Sequence, residues 1–264
     1  MTPTPPPSDM LLVPAGPFVM GADQGGEQDE HPAHRVTLAA FWLDRTEVTN
    51  RAYGACVKAG QCRSPRRRAW HRGARLPVTG VSWDDARDYC RWRGRRLPTE
   101  AEFEKAVRST DGRRYPWGNR APTPALTIAL GQRRPSPVGS RPKGRGPYGH
   151  DDLAGNVWEW VQDEYDPIAY RRAGASRGVP GSCPEILATL QKLRGERKQG
   201  FTGSNPLPTV CERVLRGGAY NYPAEGLRAS NRVHHPRRWR LKVAGFRCAR
   251  DAAHTGRHPT APVR

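Results

Sequence analysis

The chain has 264 residues, with 44 Lys and Arg against 25 Asp and Glu, a formal net charge of +19, and 28 Gly and 26 Pro. That length and composition suit one domain with one core and much loop, and no apolar run is long enough to span a bilayer. The positive charge attracts anionic partners at a distance, but the arginines are scattered, clustering only at Arg66–Arg68, Arg171–Arg172 and Arg237–Arg240, and no nucleic-acid motif accompanies them. Nucleic acid therefore enters only through net charge, and the expected partner is a protein, a peptide or an anionic ligand.

In chain order, residues 1–9 form a Pro-rich arm without the basic start and apolar centre of a secretion signal. A domain is expected over 10–251. Leu11 to Val19, bounded by Pro14, Gly16 and Gly21, predicts a short strand pair with a tight turn. Arg35–Leu38 alternates as a strand does, and Phe41–Leu43 continues the sheet. Thr49 or Asn50 caps a helix that turns Tyr53, Cys56 and Val57 inward and ends at Gly60.

Ser82 followed by Asp84 and Asp85 is an N-cap with acid in the first turn, so a second helix begins at Trp83. Its inner face is Trp83, Ala86, Tyr89, Cys90 and Arg93, and Gly94 closes it. Leu97-Pro98 is a stiff joint. Thr99 and Glu102 make a capping box for a third helix, Glu100 to about Arg108, with Phe103, Ala106 and Val107 inward.

Tyr115–Gly118 reads as an aromatic turn and Pro135–Tyr148 as loop. Gly155–Trp160 is strand-like, putting Trp158 and Trp160 on one face. An irregular insertion is expected over 164–212, with one helical piece at Pro184–Leu193. Val210–Arg216 and Gly245–Arg250 read as core strands, with a basic aromatic loop, Arg232–Lys242, between them, and 252–264 as a polar tail. Gly217-Gly218 marks a bulge or a close backbone approach.

The stretch Val81–Val107, VSWDDARDYCRWRGRRLPTEAEFEKAV, resembles the formylglycine-generating enzyme, or sulfatase-modifying factor, family. LLVPAGPFVMG from Leu11, FWLDRTEVTNRAY from Phe41, YPWG from Tyr115, GNVWEW from Gly155, VLRGGAY from Val214 and GFRCARD from Gly245 follow the family order. The resemblance implies an α+β fold, a variant of the C-type-lectin fold. It also implies a disulfide between Cys90 and Cys248. Cys56 with Cys62, and Cys183 with Cys211, are the remaining pairs by proximity in sequence. An even cysteine count without a CxxC leans toward disulfides and an extracytoplasmic compartment, while the chain shows no signal peptide.

The family's enzyme converts a substrate cysteine to formylglycine with oxygen and copper held by two cysteines in a stretch of the type GGSYMCxxxYC. Here that stretch runs from Gly217 to Leu227 without a cysteine, and Ala219 stands where the family has serine. Soft thiolates are what Cu(I) selects, so copper is not expected. A non-catalytic binding or accessory module is the leading expectation, with a ligand groove at Ala219, Tyr220, Asn221, Arg228 and Trp239. The alternative is an oxygen-dependent oxidoreductase of the same superfamily with a non-thiolate iron or copper site that includes His234 or His235, or with residual formylglycine generation. His31 and His34, beside Asp29 and Glu30, are a second imidazole-carboxylate mix that suits iron or zinc. The resembling ergothioneine-type sulfoxide synthase draws its iron histidines from a separate helical domain, which is not seen in this sequence. Calcium is implied at the side chains of Asp152 and Glu159 with the carbonyls of Gly155 and Val157, an all-oxygen set.

Overall fold

The computed structural model describes residues 8–66, 71–172, 174–178, 181–195 and 207–252. Most of the arm, Arg67 and Arg68, part of the insertion and nearly all of the polar tail lie outside them. Three helices begin where the sequence supplies a side-chain acceptor for their orphan amides. Thr49 accepts from Ala52 N to open α1 (Asn50–Lys58). Ser82 and Asp85 form a reciprocal capping box on α2 (Trp83–Trp92), and Thr99 and Glu102 form one on α3 (Glu100–Arg108). Gly94 follows α2 at φ 65°, a left-handed stop that a side chain would strain.

The strands make three small sheets. In the first, β4 (Phe41–Asp44) lies between β1 (Met10–Val13) and β9 (Ala249–Asp251). The second is the antiparallel pair β2 (Gly16–Met20) and β3 (His34–Leu38). The third has the order β7 (Val233–His235), β6 (Arg213–Arg216), β5 (Trp158–Glu164), β8 (Ala244–Gly245), with β8 parallel to β5. In the insertion, α4 (Cys183–Gly195) turns Ile186 and Leu190 inward.

Several expectations change, among them that Phe41–Leu43 pairs in a different sheet from Arg35–Leu38 and that Arg93 is exposed just past the end of α2. Leu11–Val19 is not a hairpin: β1 pairs with β4 and β2 with β3, so the turn between them is a crossing from one sheet to another. Val210 is exposed, and the strand begins at Arg213. Gly245–Arg250 divides into β8 and β9 in different sheets, with Phe246 and Cys248 buried between them. The stretch expected as loop after Arg232 contains β7, paired to β6 through Val214 and His234.

The core is aromatic and continuous between helices and sheet. Tyr53 of α1 stacks on Tyr89 of α2 at 5.5 Å, and Phe246 meets Tyr89 edge-on at 5.4 Å. Trp83 Nε1 donates to Val161 O at 2.7 Å and Trp160 Nε1 to Val81 O at 3.3 Å, so these two buried indoles are satisfied, whereas the Nε1 of the buried Trp158 has no partner among the described residues. Phe103 and Val107 of α3 pack with Leu43 and Val161 on the other side. Three disulfides join Cys56 to Cys62, Cys90 to Cys248 and Cys183 to Cys211, and the second ties α2 to the segment before β9. Among the described residues no helix is long and apolar enough to cross a membrane.

Candidate functional site

Charge is carried into the core on three arginines of the C-terminal half. Arg216, at the end of β6, is fully buried and donates to Glu100 Oε1 at 2.9 Å and to Glu104 Oε2 at 2.5 Å. These acids lie one turn apart on the buried face of α3. Arg232 grips both oxygens of Glu100, at 2.7 and 2.9 Å, and lies over the rings of Tyr165 and Tyr170. Burial alone would raise the Glu100 carboxyl, but Arg232 and Arg216 outweigh it and hold the group below its ordinary range.

Arg247, from the GFRC motif, donates from two nitrogens to the two oxygens of Glu159, each at 2.7 Å. Around this pair stand two further buried acids. Burial, then the charges of Asp152 and Glu159, push Glu47 well above the usual carboxylate range, and burial raises Asp152 and Glu159 as well. Asn156 Nδ2 donates to Glu47 Oε1 at 2.9 Å, while Glu47 Oε2 is buried without a partner. Asp152 accepts from Gly139 N at 2.6 Å. Three carboxylates thus stand around one guanidinium, and burial favours the protonated form of each.

The stretch that would carry the family's copper is built differently. Gly217 and Gly218 sit at φ 93° and 81°, and a Cβ on Gly218 would stand 2.7 Å from Leu227 Cδ2 and 2.8 Å from Gly226 O, so both glycines serve a tight backbone crossing. Counted along GGSYMCxxxYC, the two thiols would fall at Tyr222 and Leu227. Tyr222 meets the buried Trp158 edge-on at 5.2 Å, and Leu227 is buried with Tyr115 and Ala154. Hydrocarbon fills both places, and all six cysteines are consumed in disulfides. The residues present do not fit thiolate-bound copper.

The five groove candidates have separate surroundings. Ala219 and Tyr220 are buried, with Tyr220 edge-on to His71 at 6.1 Å, and Asn221 beside them is exposed. Arg228 pairs with Glu30, and Trp239 is exposed and stacked on His235. His234 and His235 are neighbours in a strand and point to opposite faces. His234 bonds Glu212 and stacks on Tyr165 at 3.8 Å, while His235 faces Trp239. The two imidazoles therefore do not converge. His31 bonds Gly25 O and His34 bonds Pro32 O, while Asp29 takes the Tyr165 hydroxyl and Glu30 takes Arg228, so that set does not converge either. Among the described residues one group of three has metal-ligand reach, Glu164 with Cys183 and Cys211, and its sulfurs are bonded to each other.

Local sequence patterning does not mark the buried partners Glu47, Glu100, Glu104, Arg216, Arg232 and Arg247 as ionic. One signal was available: Glu100 and Glu104 share a helix face with Ala101 and Phe103 close by, in a helix whose residues from Glu100 through Val107 are all buried.

Comparison with known proteins places this arrangement. The profile of the sulfatase-modifying factor enzyme 1-like domain matches residues 1–252. Hercynine oxygenase of Mycolicibacterium smegmatis is 33% identical over 91% of this chain and 61% of its own length, so the chain spans about three fifths of that relative. Formylglycine-generating enzyme of Streptomyces coelicolor is 32% identical over 92% of this chain and 89% of its own. The solved structure of PvdO from Pseudomonas aeruginosa superposes with a TM-score of 0.69 at 25% identity, covering 92% of this chain and 94% of that one. With its motifs in family order, its α+β fold and a profile match along nearly all its length, the chain belongs to the sulfatase-modifying factor enzyme 1-like family.

Proposed function

We propose that this chain is the substrate-binding domain of an oxygen-dependent oxidoreductase of this family, working with iron whose ligands come from another domain or chain and not with copper on its own thiols. The observation that carries the reading is the filling of the two thiol positions by Tyr222 and Leu227 in a chain that matches a hercynine oxygenase over 91% of its length. Iron held by histidines outside this domain agrees with the divergence of His234 and His235. The half-buried Tyr222, next to the exposed Asn221, offers the substrate an aromatic surface of the kind that attracts cations.

The test compares the protein isolated from its native cells, with whatever chains accompany it, against the 264-residue chain alone. Iron and oxygen uptake with hercynine are expected to follow the assembly, while the isolated chain binds hercynine calorimetrically and consumes no oxygen. Copper-dependent oxygen uptake by the isolated chain, or no binding of hercynine, would overturn the reading. A second reading, a binding or accessory module without redox chemistry, is favoured by the packed hydrocarbon at Tyr222 and Leu227. It predicts ligand binding and no oxygen uptake from any assembly.

Calcium belongs to the same proposal as a structural ion, held by the Asp152 and Glu159 side chains and the Gly155 and Val157 carbonyls. Its support is the buried Asp152 carboxyl beside the Arg247–Glu159 pair, and Arg247 would share the Glu159 carboxylate with the ion. The three disulfides support an oxidising, extracytoplasmic location.

A further inference from the structure

Three arginines from two stretches of chain converge on a half-open cavity of about 370 Å³. Arg108 ends α3, Arg114 lies in the turn after it, and Arg228 follows the crossing at Gly218; Gln24, Gly25 and Ser230 also contribute to the wall. Among the described residues lining it, none is an acid.

Two of the guanidiniums are held from behind. Arg228 donates to Glu30 Oε1 at 2.5 Å, and Glu30, fully buried, also accepts from Ser230 Oγ at 2.6 Å. Arg108 donates to Glu104 Oε1 at 3.0 Å and to the carbonyls of Gly21 and Gly112. Glu104 is shared with Arg216, so one carboxylate serves two arginines. Arg114 is exposed and lies 5.6 Å from the ring of Tyr115, with no ion pair among the described residues. Ala229 N donates to Arg114 O at 2.8 Å and fixes two of the walls together. Arg108 and Arg228 are thus each tied to a buried carboxylate, and Arg114 alone is left without a counter-ion among the described residues, on a framework set before any ligand arrives.

We propose that this cavity binds a small molecule bearing two or more phosphate or carboxylate groups, gripped by Arg108, Arg114 and Arg228. Planar guanidinium forks match both oxyanions, and the volume is that of a small-molecule pocket, too confined for a polymer to be the primary ligand. The site uses none of residues 219–222 and stands independently of the oxidoreductase reading.

Calorimetric titration at fixed ionic strength, with pyrophosphate and citrate as separate probes, tests it. At least one probe is expected to bind saturably at one site, and the preferred probe tells phosphate from carboxylate. Arg114→Gln, checked for an unchanged melting temperature, is expected to weaken binding about tenfold or more, because it removes a charged fork. Arg238→Gln, an exposed arginine elsewhere, leaves it unchanged. Binding of neither probe, heats that merely follow ionic strength, or equal losses in the two variants would overturn the proposal.

Discussion

Arg216 shows what a residue buried with its charge implies. Its guanidinium is fully enclosed, and Glu100 and Glu104 depend on it. Removing one partner of a buried pair leaves an uncompensated charge and costs about 3–5 kcal/mol. Arg216→Ala is expected to lower the urea unfolding free energy by that amount, whereas an exposed control such as Arg238→Ala stays within about 0.5 kcal/mol of the parent. Asp163 is the opposite case, since burial and then the charge of Glu100 push its carboxyl up to about 7. Its folded value lies above the unfolded 3.8, so the folded state holds the proton longer and stability falls as pH rises from about 4 through 7. Asp163→Asn, which keeps an acceptor for Glu100 N, is expected to flatten that fall in unfolding measured across pH; an unchanged slope would show that another group causes it. Glu100 and Glu104 are invisible to local periodicity because what permits their burial is an arginine from more than a hundred positions away, at Arg216 or Arg232.

At the scale of elements, the helices were legible and the sheets only partly so. Caps are local chemistry: Ser82 and Thr99 stand where the sequence reading puts them, and of Thr49 and Asn50 it is Thr49 that caps, because donor and acceptor lie within three residues. Strand partners are not local. The crossing between β1 and β2 looks like a hairpin turn in sequence, and β7 was hidden by flanking basic residues. The disulfides show the same division: two join neighbours in sequence, while Cys90–Cys248 spans 158 residues and was read only through the family resemblance. In the chain-entropy model a loop of that length contributes about 5 kcal/mol and the Cys56–Cys62 loop about 2 kcal/mol. Cys90→Ala with Cys248→Ala is therefore expected to shift the denaturant midpoint more than Cys56→Ala with Cys62→Ala, and equal shifts would contradict it.

The whole molecule keeps a family scaffold by means that do not require the family's copper. Aromatic packing, three disulfides and buried arginine–carboxylate pairs hold the sheets to α2 and α3. With calcium held at Asp152 and Glu159, chelation is expected to lower the melting temperature and Asp152→Ala to abolish that response. An identical melting temperature with calcium and with chelator would leave Arg247 as the sole counter-charge. The fold and its family were readable from motif order, whereas the site was readable chiefly by what it lacks, because Tyr222 and Leu227 carry no signal until their packing is seen. The central claim is that every cysteine sulfur of this chain is locked in a structural disulfide. It is tested most directly by competition for Cu(I) against a chromogenic chelator, using the non-reduced protein. The account predicts that no stoichiometric Cu(I) is withdrawn; one tightly held equivalent, lost on Cys211→Ala or Cys248→Ala, would contradict it.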